Sequence, residues 1–219
     1  MSSDDYFSNH RLKLRFPWAL YHRPIVAALS SAMEAAPGAD ILNVGAGPFL
    51  EIDFLPWQGR RIVLCDIDPR AVAFAKDHCG GRIAAADIVP LGEALPYPDA
   101  SFDLVVAMEV IEHIPGPAPW LGDLVRVLRP GGRVFLTTPN YGSRSLEVLE
   151  RTALEAIARL QGFTRRGMHP TRFDAPRLQG LLAECGLTPA LVRELSWGWV
   201  LAATGEKPVP AEGAPQSPA

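Results

Sequence analysis

The feature of this sequence that most constrains its fold is a regular alternation of short apolar runs with segments of helical periodicity. This order predicts an α/β fold, in which a mostly parallel sheet carries helices on both faces. Strands are predicted at residues 41–44, 62–65, 82–86, 104–108 and 133–138. Helices are predicted between them at residues 49–57, 69–77 and 120–128; the second begins at a proline and the third ends at a Pro-Gly-Gly turn.

The pattern changes after the fifth strand. Two helices are predicted at residues 145–161 and 175–185, and two strands at 190–195 and 197–203. The short connection between these strands predicts an antiparallel hairpin at the end of the sheet. We therefore expect one main domain over residues 40–204, preceded by an N-terminal helical extension (1–39) and followed by a disordered, Pro- and Ala-rich tail (205–219).

Composition narrows the possible partners and the compartment. A net charge of −3 gives no basic field for nucleic acid. The longest apolar runs are far shorter than a membrane span, and the N-terminal residues do not resemble a secretory signal. The three cysteines are scattered and form no CxxC motif, which indicates reduced thiols in the cytoplasm and predicts no metal site.

The first strand ends in "NVGAGPF", and this loop is a candidate ligand site. Ligands of such sheets bind beyond the carboxyl ends of the strands, where Gly45 and Gly47 allow the backbone to approach closely. By itself the motif is equally typical of a simple turn. Asp66 ends the second strand and can accept both ribose hydroxyls of an adenosine, with Ile67 against the adenine. Asp68 is better placed to cap the next helix.

The loop departs from the fingerprint of dinucleotide-binding proteins, because its third glycine is missing and Phe49 stands two positions beyond Gly47. In that fingerprint the glycine lets the helix pack closely beside a pyrophosphate. The departure disfavours NAD and favours an adenosine cofactor that carries no phosphate.

Four motifs in order resemble the class I S-adenosylmethionine-dependent methyltransferases, in particular the type 11 group of small-molecule enzymes that includes ubiquinone and menaquinone biosynthesis methyltransferases. They are "ILNVGAGP", "VLCDIDPRAVAFAK", "EALPYPDASFDLVVAMEVIEHI" and "LVRVLRPGGRVFLTTPN". The resemblance covers about residues 40–203. It implies a Rossmann-like, seven-stranded sheet, S-adenosyl-L-methionine as the cofactor, and transfer of a methyl group to a small-molecule or lipid- or sugar-linked intermediate.

The resemblance also implies which residues hold the cofactor. The backbone from Asn43 through Gly45 and Ala46 to Gly47 would hold the methionine end, and Asp66 would bind the ribose. Asp87 and Ile88 would meet the adenine, while Met108 and Glu109 would lie near the methionine part and the reacting sulfur. Three positions depart from the family: Asn43 often corresponds to an acid, Phe49 replaces the third glycine of the loop, and Leu91 stands where the adenine-contacting Asp commonly lies, four residues before the "LP" pair. We expect Asp87 to replace that acid; otherwise no side chain does so.

Methyl transfer from a sulfonium needs no metal, and it needs a base only where the acceptor retains a proton. His113 and His169 are the candidate catalytic residues, although each is also compatible with a structural role. In similar enzymes a His at the second position ends the insert that covers the acceptor pocket, here residues 141–169. Arg165 and Arg166 in that insert are compatible with a solvated helix, with an anionic acceptor or with peripheral membrane contact. Oxygen is the favoured acceptor atom; the alternatives are a non-catalytic cofactor-binding module and, less favoured, an NAD-dependent oxidoreductase.

Overall fold

The structure is a computed structural model that describes residues 19–149, 152 and 169–210. In this part of the chain seven strands form one sheet in the order β3-β2-β1-β4-β5-β7-β6. All neighbouring strands are parallel except β7, which runs antiparallel to both β5 and β6. The strands are β1 (Asp40–Val44), β2 (Arg61–Asp66), β3 (Ala85–Ile88), β4 (Phe102–Met108), β5 (Leu128–Pro139), β6 (Leu191–Leu195) and β7 (Val200–Glu206). The predicted Rossmann-like sheet and its C-terminal hairpin are confirmed.

Helices cover both faces of this sheet. They are α1 (Ala19–Glu34), α2 (Pro69–Cys79), α3 (Pro117–Val127), α4 (Arg144–Leu149) and α5 (Ala175–Glu184). Apolar side chains of α3 and α5 pack on one face with Leu42 and Val105, whereas those of α1 and α2 pack on the other with Ile41 and Leu64. Alternate residues of one strand thus enter opposite cores, as expected for a strand buried on both faces.

Aspartate side chains cap the N-termini of α2 and α5 and fix where these helices begin. The carboxylate of Asp68 accepts a hydrogen bond from the backbone N–H of Arg70 at 2.9 Å, which confirms its predicted capping role. Asp174 caps α5 in the same way through the N–H of Arg177. Because Asp68 fills the cap, the neighbouring Asp66 is left for another role.

The helix predicted at residues 49–57 is wrong in length and type. The chain forms only a 3₁₀ turn, Leu50–Phe54, because Phe49 adopts a left-handed conformation (φ 47°) and Leu55, before Pro56, is extended. The Phe49 side chain is nonetheless buried in the core beneath α1. A G-x-G-x-x-G fingerprint that starts at Gly45 would have its third glycine at position 50, and both Phe49 and Leu50 are buried there.

Two further boundaries differ from the sequence-based expectations. The third strand begins at Ala85, because Arg82 belongs to a 3₁₀ turn and donates to the carbonyls of His78 and Cys79 at the end of α2. The last strand continues to Glu206, so the tail does not begin at residue 205. It continues because its residues Gly205 and Glu206 still pair with Val134 and Arg133 at the start of the predicted fifth strand.

Several expectations fall outside the described residues: the N-terminal residues before 19, most of the predicted helix 145–161, most of the insert 141–169, and the tail after 210. Within the part that is described, the apolar helices are all too short to cross a bilayer.

Candidate active site

A cavity of about 470 Å³ lies at the carboxyl ends of β1, β2 and β4. Its wall includes the glycine loop after β1, in which Gly45 and Gly47 adopt positive φ angles of 66° and 56°. The backbone N–H groups of Gly45 and Ala46 donate to the carbonyl of Cys65, at 2.8 and 3.1 Å. A Cβ at Gly45 would lie 2.5 Å from Val110, so the tight turn requires glycine there.

Asp66 is held rigidly at this cavity. Oδ2 accepts the N–H of Gly47 at 2.7 Å, and Oδ1 accepts the N–H of Asp68 at 2.9 Å. An ionised carboxylate has about four acceptor sites, so each oxygen keeps the capacity for one more hydrogen bond. The side chain that the sequence suggested for ribose is thus on the cavity wall, preorganised to accept two hydroxyl donors.

The adenine end differs from the expectation. Ile67 lines the cavity as predicted, but Asp87 and Ile88 are not among its lining residues. The carboxylate of Asp87 instead accepts a hydrogen bond from the hydroxyl of Tyr97 at 2.9 Å. The wall here is the loop after β3, residues 89–93, which includes Leu91. The sequence contained the signal, because Leu91 occupies the position of the family's adenine-contacting residue.

A second cavity of about 190 Å³ lies against the same loop and shares Gly45, Gly47 and Glu109 with the first. Ala46 and Met108, both predicted to hold the cofactor, line this smaller space. Its outer wall comes from α1 and includes His22, Ile25 and Val26. Helix α1 therefore forms part of a pocket wall and also packs on the sheet.

Asn43, two residues before the loop, is 2% exposed on β1. Neither its amide nitrogen nor its carbonyl oxygen has a hydrogen-bond partner among the described residues. Buried polar side chains in folded proteins nearly always have partners, supplied by protein, ordered water or a ligand. Asn43 is not among the lining residues of either cavity, but its neighbour Val44 lines the larger one, so a buried water or a polar ligand group that enters beside Val44 would satisfy the amide.

The charge of the larger cavity decides which ligand suits it. Its lining includes carboxylates but neither lysine nor arginine, among the residues that the structure describes; the carboxylates are those of Asp66, Asp68, Glu93, Glu109 and Asp123. A pyrophosphate would be repelled by this wall, whereas a cationic sulfonium would be attracted. The cavity fits an adenosine that carries a positive charge better than it fits NAD.

Beyond the end of β4 a polar cluster forms. Ring nitrogens of His113 and His169 and a carboxylate oxygen of Glu112 lie within 4.8 Å of one another. The two imidazoles meet edge to face, with ring centroids 4.8 Å apart. His113 also lines the larger cavity, while His169 lies behind it.

Glu112 is the buried member of this cluster, at 1% exposure. Burial raises the pKa of its carboxyl to about 8, and the negative charge of Glu109 adds to the rise, while the hydroxyl of Thr138 donates to Oε2 at 3.0 Å and opposes it. Sequence reasoning did not single out Glu112, whose burial is a tertiary property. Asn140, by contrast, has a structural role: its amide nitrogen donates to Glu194 and to the carbonyl of Gly198.

The sheet order is shared with solved structures of S-adenosylmethionine-dependent methyltransferases, and the acid-walled cavity lies at the carboxyl edge of that sheet. Residues 42–136, somewhat less than half of the chain, match the family described as "Methyltransferase domain".

Similar proteins point the same way. A probable S-adenosylmethionine-dependent methyltransferase of Mycolicibacterium smegmatis is 39% identical over 104 residues, 47% of this chain and 39% of that protein. A ubiquinone biosynthesis O-methyltransferase of Cereibacter sphaeroides is 28% identical over 174 residues, 76% of this chain and 69% of that protein. The 1,6-didemethyltoxoflavin-N1-methyltransferase of Burkholderia thailandensis, solved with S-adenosylhomocysteine, shares the fold with a TM-score of 0.64 at 20% identity, covering 94% of this chain and 87% of that one. The chain spans 39 to 63% of the length of its mycobacterial relatives.

Proposed function

We propose that this protein transfers the methyl group of S-adenosylmethionine to a hydroxyl oxygen of a small-molecule or a lipid- or sugar-linked biosynthetic intermediate, in the cytoplasm. The observation that carries the proposal is that His113, a side chain able to accept a proton near neutral pH, lines the same acid-walled cavity as Gly45 and Asp66. The three cysteines are free thiols, which suits a reducing compartment.

The residues of the chain supply positioning and proton transfer. The bound cofactor supplies an activated methyl group on a sulfonium whose sulfur leaves as a neutral thioether. Asp66 would hold the ribose, Ile67 and Leu91 would meet the adenine, and the smaller cavity at Ala46 and Met108 would take the methionine part. These contacts orient the methyl group toward the acceptor, and orientation in a site closed to water supplies much of the rate enhancement.

His113 takes the hydroxyl proton of the acceptor as the oxygen attacks. It follows β4 in a 3₁₀ turn, Ile111–His113, and lines the cavity together with Glu109. Residues 141–169 would cover the acceptor and select it. The choice of oxygen is supported by similarity to proteins named as ubiquinone biosynthesis O-methyltransferases.

The test measures cofactor binding and turnover separately. Isothermal titration calorimetry with S-adenosylmethionine and S-adenosylhomocysteine is expected to show micromolar binding of both, and NADH titration followed by fluorescence is expected to show none. Transfer of radiolabelled methyl groups is then measured on a panel of catechols, polyprenyl-substituted phenols and glycosides. If neither S-adenosylmethionine nor S-adenosylhomocysteine binds, the proposal is wrong. Binding without turnover on the panel would favour a non-catalytic cofactor-binding module.

A further inference from the structure

Behind His113, the hydroxyl of Tyr141 and Nδ1 of His169 form a short hydrogen bond. These residues are 28 positions apart in the chain, and the structure brings them together at the ends of β4 and β5. Because His169 contacts His113 edge to face, Tyr141 reaches the cavity residue through one intervening ring.

The backbone holds this arrangement from two sides. The segment that follows His169 is tied to the end of β4, because the N–H of Thr171 donates to the carbonyl of Glu112 at 3.1 Å and the Thr171 hydroxyl donates to the carbonyl of Ile114 at 2.7 Å. It is tied to the end of β5 by the N–H of Tyr141, which donates to the carbonyl of Phe173 at 2.8 Å. Together these hydrogen bonds hold the segment after His169 at a fixed distance from the ends of β4 and β5.

A cation fixes the tyrosine ring in turn. The guanidinium carbon of Arg172 lies 5.0 Å from the centroid of the Tyr141 ring, within the range of a cation–π contact. Among the residues that the structure describes, the charged or titratable groups that face the two imidazoles include Glu112 and Tyr141, with Arg172 beyond the tyrosine and Glu109 beyond the glutamate.

We propose that Tyr141 is a positioning residue for the catalytic base: its hydroxyl fixes the tautomer and orientation of His169, which holds the imidazole of His113 toward the acceptor. This rests on the proposed function, since it assumes that His113 takes the acceptor proton. The phenol of tyrosine keeps its proton at neutral pH, so it donates to Nδ1 of a neutral His169. The proton of that imidazole is then confined to Nε2.

Methyl transfer to a hydroxyl moves one electron pair and one proton. As the C–O bond forms and the C–S bond breaks, the electron pair goes to sulfur and the hydroxyl proton goes to a ring nitrogen of His113. The imidazolium lies beside the ring of His169 and the buried carboxyl of Glu112, and burial raises the pKa of Glu112 to about 8. The proton can pass from His113 to this cluster and then to water.

The experiment compares the wild-type chain with Tyr141→Phe, which removes the hydroxyl and keeps the ring beneath Arg172. Long-range ¹H–¹⁵N spectra of the histidine side chains report the tautomer of each imidazole. We expect neutral His169 to be protonated only at Nε2 in the wild type and to become a tautomer mixture in the variant. His78, which stacks on Phe74 and pairs with Asp53 elsewhere, is the internal control and should not change.

A second readout separates positioning from folding. On the acceptor that the panel yields, we expect Tyr141→Phe to lower kcat about tenfold, which is less than a general base contributes. The variant should also move the acidic limb of the pH profile of kcat. The Kd for S-adenosylhomocysteine should stay within about twofold. If the tautomer and the pH profile are both unchanged, the proposal is wrong.

Two other outcomes are distinguishable. If the wild type does not bind S-adenosylhomocysteine, the proposed function fails, whatever the spectra show for His169. If low concentrations of Mn²⁺ selectively broaden the signals of His113 and His169, and a chelator abolishes methyl transfer, the cluster holds a divalent cation and the positioning proposal is overturned.

Discussion

The carboxylate of Asp66 provides the sharpest test of how the cofactor is held. It accepts two backbone N–H groups, from Gly47 and Asp68, and retains one acceptor site on each oxygen for a ribose hydroxyl. Hydrogen bonds to a charged group contribute about 1.5–3 kcal/mol. We therefore expect Asp66→Ala to weaken S-adenosylhomocysteine binding by roughly 10- to 150-fold in Kd.

The isosteric change Asp66→Asn should not restore the affinity. Each oxygen of the native side chain faces a backbone donor, so an amide nitrogen at either position would meet an N–H group. We expect Asp66→Asn to bind the cofactor at least about tenfold more weakly than the wild type does. A structural role confined to one of the two oxygens would let the asparagine variant bind normally.

Calorimetry measures these changes, and Asp174→Ala is the matched control. That residue caps α5 through the N–H of Arg177, so its removal costs helix stability without touching either cavity. The control should lower the melting temperature while its Kd stays at the wild-type value. An unchanged Kd in Asp66→Ala, beside a well-behaved control, would place the ribose elsewhere and refute the reasoning.

Three further predictions concern stability and the glycine loop. Burial alone would raise the pKa of Asp40, but hydrogen bonds from Arg129 and Arg61 outweigh it and hold this pKa below the usual range. The carboxylate therefore stabilises the fold above the unfolded pKa of about 3.9, and the contribution is lost as the pH falls through the lower folded value; in urea unfolding the deficit of Asp40→Asn should shrink between neutral pH and about pH 3. Asn43→Leu removes a buried, unpaired amide, so the ligand-free chain should gain about 1–2 kcal/mol in unfolding free energy while its cofactor affinity falls; a less stable variant with normal affinity would contradict this. Gly45→Ala adds a Cβ 2.5 Å from Val110 at positive φ, whereas Gly47→Ala has open space around it. Gly47→Ala should therefore lower the free energy of unfolding by about 1–2 kcal/mol, the cost of a left-handed alanine, and Gly45→Ala should lower it by more. Equal melting temperatures for the two variants would show that the turn relaxes.

The strands were predictable because a strand buried on both faces is a continuous apolar run, and such runs are read directly from the sequence. Asp66 was predictable for a related reason: it is the first polar residue after such a run. The helix at 49–57 was not, because the left-handed Phe49 depends on the core that receives its side chain. The last residue of the last strand depends likewise on its pairing with β5, a strand that lies some 70 residues earlier in the chain.

Side-chain partners were the least predictable part of the site. Asp87 follows a strand, as a ligand-binding acid should, but Tyr97 lies ten positions on and claims its carboxylate. Tyr141 and His169 meet across a segment of 28 positions, and no local pattern encodes a contact of that separation. Position along a strand can be predicted from sequence, whereas the choice between two possible hydrogen-bond partners is made by packing.

The same distinction bears on Asn43, where the family often has an acid. An amide removes one negative charge from beside a cationic cofactor, which in isolation suggests a weakened site. The larger cavity nevertheless has five carboxylates on its wall and no basic side chain among the described residues. Two of these carboxylates are paired with arginines, Asp68 with Arg70 and Asp123 with Arg126, but the other three still give the wall a negative charge that attracts a sulfonium without an acid on β1. What Asn43 contributes is then a pair of buried hydrogen-bonding atoms that await a partner, and their satisfaction on binding favours the cofactor without requiring a charge at that position.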